Sequence, residues 1–188
     1  MVKNGFQHQL PKDLILLAKS GDMSALETIY STYIDASYSL SYRMTFNSTL
    51  SEDIVQDAFI KVLKNISTFD FKGSLAGWIR KIIVNESINS MKSSHQIKIL
   101  LDNEIADRQH SDLFSHKWFF DLNELDYFLE KLPVMSRVIV LLHEIEGYKH
   151  KEIAEIFNKS ESFSKMILKR AYSELHQLVK AQENNACI

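Results

Sequence analysis

Three sets of residues in this 188-residue chain have types and spacings suited to binding. Asp53, Gln56, Asp57, Lys61 and Lys64 recur at helical intervals in SEDIVQDAFIKVLK (51–64), so they gather on one polar side of a helix. Lys81, Asn85, Asn89 and Lys92 make a second stripe, in which two ammonium groups could hold phosphates and two amides could read base edges. Ser162, Lys165, Lys169 and Ser173, flanked by Arg170, make a third. Residue type alone leaves each stripe open to a second reading as the wet face of an amphipathic helix.

Chemistry of other kinds finds little support. There is no G-x-x-x-x-G-K-[ST], G-x-S-x-G or G-x-G-x-x-G, and five glycines are too few to build a phosphate loop. The seven histidines are scattered, and His150 with Glu152 and Glu155 does not form the H-E-x-x-H pattern that puts two ligands on one helical face. His143, His150 and His176 read as surface residues. The expectation is a protein with no cofactor and no metal, and not an enzyme.

The elements that would position the stripes are helices. Five Gly and two Pro against 45% hydrophobic residues favour long uninterrupted segments and an all-α fold. Pro11 to Ser20 reads as a short helix closed by Gly21, and Asp22 caps a longer one running to about Phe46 with Leu26, Tyr30, Tyr33, Ser37, Leu40 and Met44 inward. Asn47 to Thr49 break it, and Ser51 is placed as the cap of the next helix. That helix packs through Ile54, Val55, Ala58, Phe59, Val62 and Leu63. After the loop STFDFKGS (67–74), Ser74 caps a helix with Leu75, Trp78, Ile79, Ile82 and Ile83 on its core side. Order returns near Asp121 with a Leu122, Leu125, Leu129, Leu132 stripe ended by Pro133, then Val138 to Ile145 closed by Gly147. The final pair, KHKEIAEIFN and SFSKMILKRAYSELHQLV, has the outline of a helix-turn-helix.

Net charge is −2, which does not advertise a nucleic-acid binder. The charges are uneven: Lys plus Arg against Asp plus Glu runs 10 to 9 over residues 1–94, 3 to 8 over 95–130 and 9 to 7 over 131–188. Two small helical domains, 1–94 and 121–188, joined by an acidic linker, 95–120, follow as the expected organisation. A lone cysteine, Cys187, cannot form an internal disulfide, and the N-terminus has no apolar signal region, so a cytoplasmic protein without membrane insertion is expected.

The motifs sharpen this. Asp53-Ile-Val-Gln-Asp-Ala-Phe59 resembles the D-I-V-Q-x-x-F signature of bacterial extracytoplasmic-function (ECF) sigma factors, and W-I-R-K-I from Trp78 with Asn85 resembles their W-L-x-R-I-x-x-N. Leu132, Pro133 and Arg137, E-G-Y-K-H-K-E-I-A-E-I-F, and Lys165, Leu168, Arg170 and Ala171 are similar to the family's second module. The resemblance covers roughly residues 22–94 and 121–180. It implies that Asp53, Gln56, Asp57, Phe59 and Lys61 meet core RNA polymerase. It implies further that Phe69, Phe71, Lys72, Trp78, Arg80, Lys81, Asn85, Asn89 and Lys92 meet promoter DNA at the minus-10 element, the loop helping to hold a flipped base. Ser162, Ser164, Lys165, Lys169, Arg170 and Ser173 would lie over the minus-35 element, and an anti-sigma factor is a further expected partner.

Two departures bear on function. After Asn89 the chain has Met91, Lys92, Ser93 and Ser94 where the family has an arginine cluster, and Phe163 to Ile167 stand where it commonly has T-V-K-S-R. Phosphate neutralisation supplies much of DNA affinity, so independent promoter recognition is expected to be weak. Recruitment by a separate DNA-targeting protein, an RNA-guided one among them, is then an expectation. A helix-turn-helix regulator acting without polymerase and a sigma-like decoy remain the alternatives.

Overall fold

A computed structural model describes residues 5–93 and 122–186, and all their regular structure is helical. The chain divides into two compact units, Met1–Ser93 and Ser94–Ile188. The acidic connector read at 95–120 lies outside the described residues.

The first unit contains α1 (Lys12–Lys19), α2 (Met23–Thr45), α3 (Ser48–Asn65) and α4 (Leu75–Ser93), with short 3-10 turns at Gly5–Gln7 and Ile66–Thr68. Asp22 caps α2 as its sequence position indicates, its carboxylate accepting the Ala25 N–H at 2.8 Å. Phe46, in the left-handed region at φ 48°, ends that helix. The inward face of α2 carries Tyr33, Ser37, Leu40 and Met44 as expected, but in its first two turns Ala25 and Ile29 are buried instead of Leu26, which is part-buried, and Tyr30, which is 45% exposed.

The start of α3 also differs from expectation. Asn47, not Ser51, is the cap; its side-chain oxygen accepts the Leu50 N–H at 3.0 Å. Ser51 is fully buried one turn later, donating to the Asn47 carbonyl at 2.7 Å and lying 2.8 Å from Thr45 Oγ1. A cap of this kind is worth about 1 kcal/mol, and here it lets α2 turn directly into α3. Ile54, Val55, Ala58, Phe59 and Val62 of α3 pack with Ile79, Ile83, Val84 and Ile88 of α4 and the α2 face to form one apolar core. Leu63 stays outside, 43% exposed.

The second unit contains α5 (Leu122–Lys131), α6 (Val134–Val140) continuing into a π-helical turn (Leu141–Ile145), α7 (His150–Phe157) and α8 (Glu161–Ala186). Pro133, at φ −52° and ψ 145°, stops α5 and begins α6. Gly147 at φ 73° makes the turn before α7, whose start is fixed by the Glu152 carboxylate accepting the Lys149 N–H at 2.7 Å. Asn158 at φ 53° ends α7, and the Ser160 hydroxyl accepts the Phe163 N–H at 3.2 Å to open α8. Ala154 is buried where α7 meets α8, alongside Ile153, Phe157, Ile167, Leu168 and Ala171. Arg137 is also buried, and desolvation pushes its guanidinium below the usual arginine range against the opposing pull of Glu130.

Candidate functional site

The first surface is the outward side of α3. Asp53 and, one turn further on, Gln56 and Asp57 are exposed on it, because the opposite side is locked into the core. Two other residues of the expected set have different surroundings. Phe59 is 3% exposed, with its ring edge-on to Tyr30 at 4.9 Å between centroids, so it shapes the helix from beneath instead of meeting a partner. Lys61 reaches across to Glu86 of α4 at 2.6 Å, so its charge is already engaged within the unit. Ile60, 47% exposed, lies beside the polar cluster.

The second surface joins the loop before α4 to α4 itself. Ser74 caps α4 by accepting the Gly77 N–H at 3.0 Å. Phe69 is buried, tilted 5.0 Å from Phe71 and 5.7 Å from Trp78, and is therefore a plug, not an offered ring. Phe71 is half-buried, and its backbone sits at φ 60°, a left-handed conformation that costs a non-glycine residue roughly 1–3 kcal/mol and persists where surroundings impose it. Asp70 accepts the Lys72 N–H at 3.1 Å and pairs with its ammonium at 3.0 Å, and these contacts hold the Asp70 carboxyl below the ordinary aspartate value. Lys81 and Asn89 are exposed, Asn85, Lys92, Arg80 and Trp78 part-buried, so the α4 stripe is in place.

The third surface is on α8. Ser162, Lys165, Lys169 and Arg170 are exposed and Ser173 is part-buried. Ser164 is fully buried, its hydroxyl 3.0 Å from His150 Nδ1 across the α7–α8 junction, so it fastens the two helices instead of facing DNA. Two neutralising contacts were legible as i,i+4 spacings: Lys165 lies 3.8 Å from Glu161 and Arg170 3.4 Å from Glu174.

The histidines expected at the surface are partly enclosed. His143 and His150 stack at 4.2 Å, His143 Nδ1 lies 2.9 Å from the Tyr148 carbonyl, and the Tyr172 hydroxyl donates to Glu144. Burial, then His143 and Lys165, lowers the His150 pKa from 6.5, against Glu161 and Glu144. The unfolded chain therefore binds more protons than the fold in this range. His150 contributes stability that is fully present above about pH 6.5 and is lost as pH falls through that value towards the lower folded pKa. The urea midpoint of the second unit is expected to drop between pH 7.5 and 5.5, and His150→Gln to flatten that dependence.

Among the described residues no helix is long and apolar enough to cross a membrane, and no three His, Cys, Asp or Glu side chains converge as metal ligands. Comparison with known proteins accounts for the arrangement. Sigma-70 region 2 matches residues 29–96 and Sigma-70 region 4 matches residues 122–175. The ECF RNA polymerase sigma factor SigW of Bacillus subtilis is 30% identical over 159 residues, covering 78% of this chain and 84% of SigW. The fold is similar to that of CnrH in complex with the cytosolic domain of CnrY (TM-score 0.54, 20% identity, 89% of this chain and 96% of that one). It is similar too to the sigma factor RpoE in complex with the anti-sigma factor NepR from Bartonella quintana (TM-score 0.53, 19% identity, 82% and 96%). Both sigma regions occur in order on two helical units, and the chain belongs to the ECF RNA polymerase sigma factors, transcription initiation factors that bind core polymerase and promoter DNA and are not themselves enzymes.

Proposed function

We propose that the chain grips core RNA polymerase through Asp53, Gln56 and Asp57 of α3, and brings the Phe71 loop with the α4 stripe to the minus-10 region. In the same reading Ser162, Lys165, Lys169, Arg170 and Ser173 lie over the minus-35 region. The observation that carries it is the α3 cluster: Asp53 and, one turn on, Gln56 and Asp57 are exposed on a helix whose opposite side is buried through Ile54, Val55, Ala58, Phe59 and Val62. Such a face is rigid before it meets a partner, so little ordering opposes binding. An anti-sigma partner belongs to the same proposal, by analogy with RpoE and NepR.

A second reading is favoured by the Glu161 and Glu174 contacts on α8, which neutralise cations where DNA would lie. In it polymerase binding is normal, independent DNA recognition is weak, and a separate DNA-targeting protein, an RNA-guided one included, supplies the address. Run-off transcription tests both. Core polymerase plus this chain should initiate on templates recovered from DNA that the tagged chain occupies in cells. Initiation only after a co-purifying DNA-targeting protein is added would select the second reading. Operator binding without polymerase would instead identify a free-standing regulator, and partner binding with no initiation a decoy.

A further inference from the structure

The Phe69–Ser74 loop is held from outside the matched sigma region. Lys19, the last residue of α1, precedes residues 29–96 in sequence, yet its ammonium donates to the Phe69 carbonyl and lies 5.1 Å from the centre of the Phe71 ring. Lys12, two turns earlier on the same helix, places its ammonium 5.3 Å from that ring. α1 is itself seated by Ile15 and Ala18, both buried, and it packs against the Ile66–Thr68 turn that leads into the loop. Beside the ring is a cavity of about 380 Å³ lined by His8, Lys12, Tyr33, Phe69, Phe71 and Leu75. A loop with a ring at positive φ and open space next to it has somewhere to collapse unless something holds it.

We propose that Lys19 is a positioning residue for this loop, clamping the Phe69 carbonyl and the Phe71 ring so that Phe71 stays out of the cavity and available to the opening strand. The inference rests on the reading that the loop takes part in strand opening. Lys12 supports the ring, whereas Lys19 holds both the ring and the loop backbone, so Lys19 carries the larger share. A cation and a donor are both needed: arginine retains them, and methionine keeps the length and loses both.

The test uses the full chain. In a Trp118→Phe background Trp78 is the sole indole, and it sits 5.7 Å from Phe69, so its emission reports loop geometry. Lys19→Met should shift that emission and lower the urea midpoint only modestly, by about the worth of those two contacts, while polymerase co-purification stays unchanged. In cells it should lower permanganate reactivity of thymines, per occupied site, by about fivefold, the scale of one hydrogen bond and one exposed cation–π contact. Lys19→Arg should restore both. Phe71→Ala serves as the control for the underlying reading. Unchanged Trp78 emission in Lys19→Met, or failure of Lys19→Arg to restore it, overturns the clamp. Normal opening in Lys19→Met with impaired opening in Phe71→Ala overturns the role of Lys19 alone. Normal opening in both variants overturns the loop reading, and the proposal with it.

Discussion

Replacing Gln56 and Asp57 together by alanine is expected to release core RNA polymerase, with retention in a tagged pull-down falling by at least about 30-fold, the effect of losing one centrally placed interface residue. The fold should be untouched. Both side chains point to solvent and neither takes part in the core, so exposed substitutions here should change stability by no more than about 0.5 kcal/mol, and alanine is the best helix former. Phe59→Ala offers the contrast. It empties a buried site against Tyr30 and should cost roughly 3–5 kcal/mol of stability, so any loss of polymerase would come with a lowered urea midpoint. Measuring retention and midpoint on the same preparations separates a lost contact from a lost helix. Full retention by the double alanine variant would place the grip elsewhere.

That contrast also marks how far the sequence could be read. The helical periods, the Asp22 cap and the end of α2 near Phe46 follow from local rules and the chain obeys them, although Ser48 and Thr49, read as part of the break, already belong to α3. The α3 periods put Phe59 inward with Ile54 and Val62, whereas the family signature, which runs through both faces of the helix, grouped it with the outward Asp53, Gln56 and Asp57. Facing is decided by packing, and Tyr30, on another helix, settles it for Phe59. Ser164 entered in the same way, through the resemblance: its spacing puts it one and two turns before the buried Leu168 and Ala171, and it turns inward to meet His150. The Asn47 cap was locally readable, since Asn ranks with Ser at that position; choosing Ser51 missed that Thr45 and the Asn47 carbonyl already engage its hydroxyl. Lys19 left no local signal at all: its partner lies fifty residues away along the chain. Glu161 and Glu174 were visible as i,i+4 partners of Lys165 and Arg170.

The balance of charge on α8 sets the second large expectation. Neutralising three phosphates would give a salt slope of about −2.7, or about 40-fold weaker binding between 50 and 200 mM salt. Lys165 and Arg170 already face Glu161 and Glu174, so the number of counterions they release on meeting DNA is smaller. Lys165→Ala with Lys169→Ala and Arg170→Ala should therefore weaken upstream DNA binding by the polymerase complex by roughly 10-fold at 0.1 M salt and reduce the slope by about one to two. Glu161→Gln with Glu174→Gln should act in the opposite sense, tightening binding and steepening the slope, since the released cations become available to phosphate. Filter binding across a salt series reads both. If the triple alanine chain leaves DNA occupancy in cells unchanged while the purified complex loses its affinity, recognition is supplied from outside the chain. If occupancy falls in step with affinity, α8 carries the address itself, and the acidic neighbours act to moderate a contact that the rest of the helix makes.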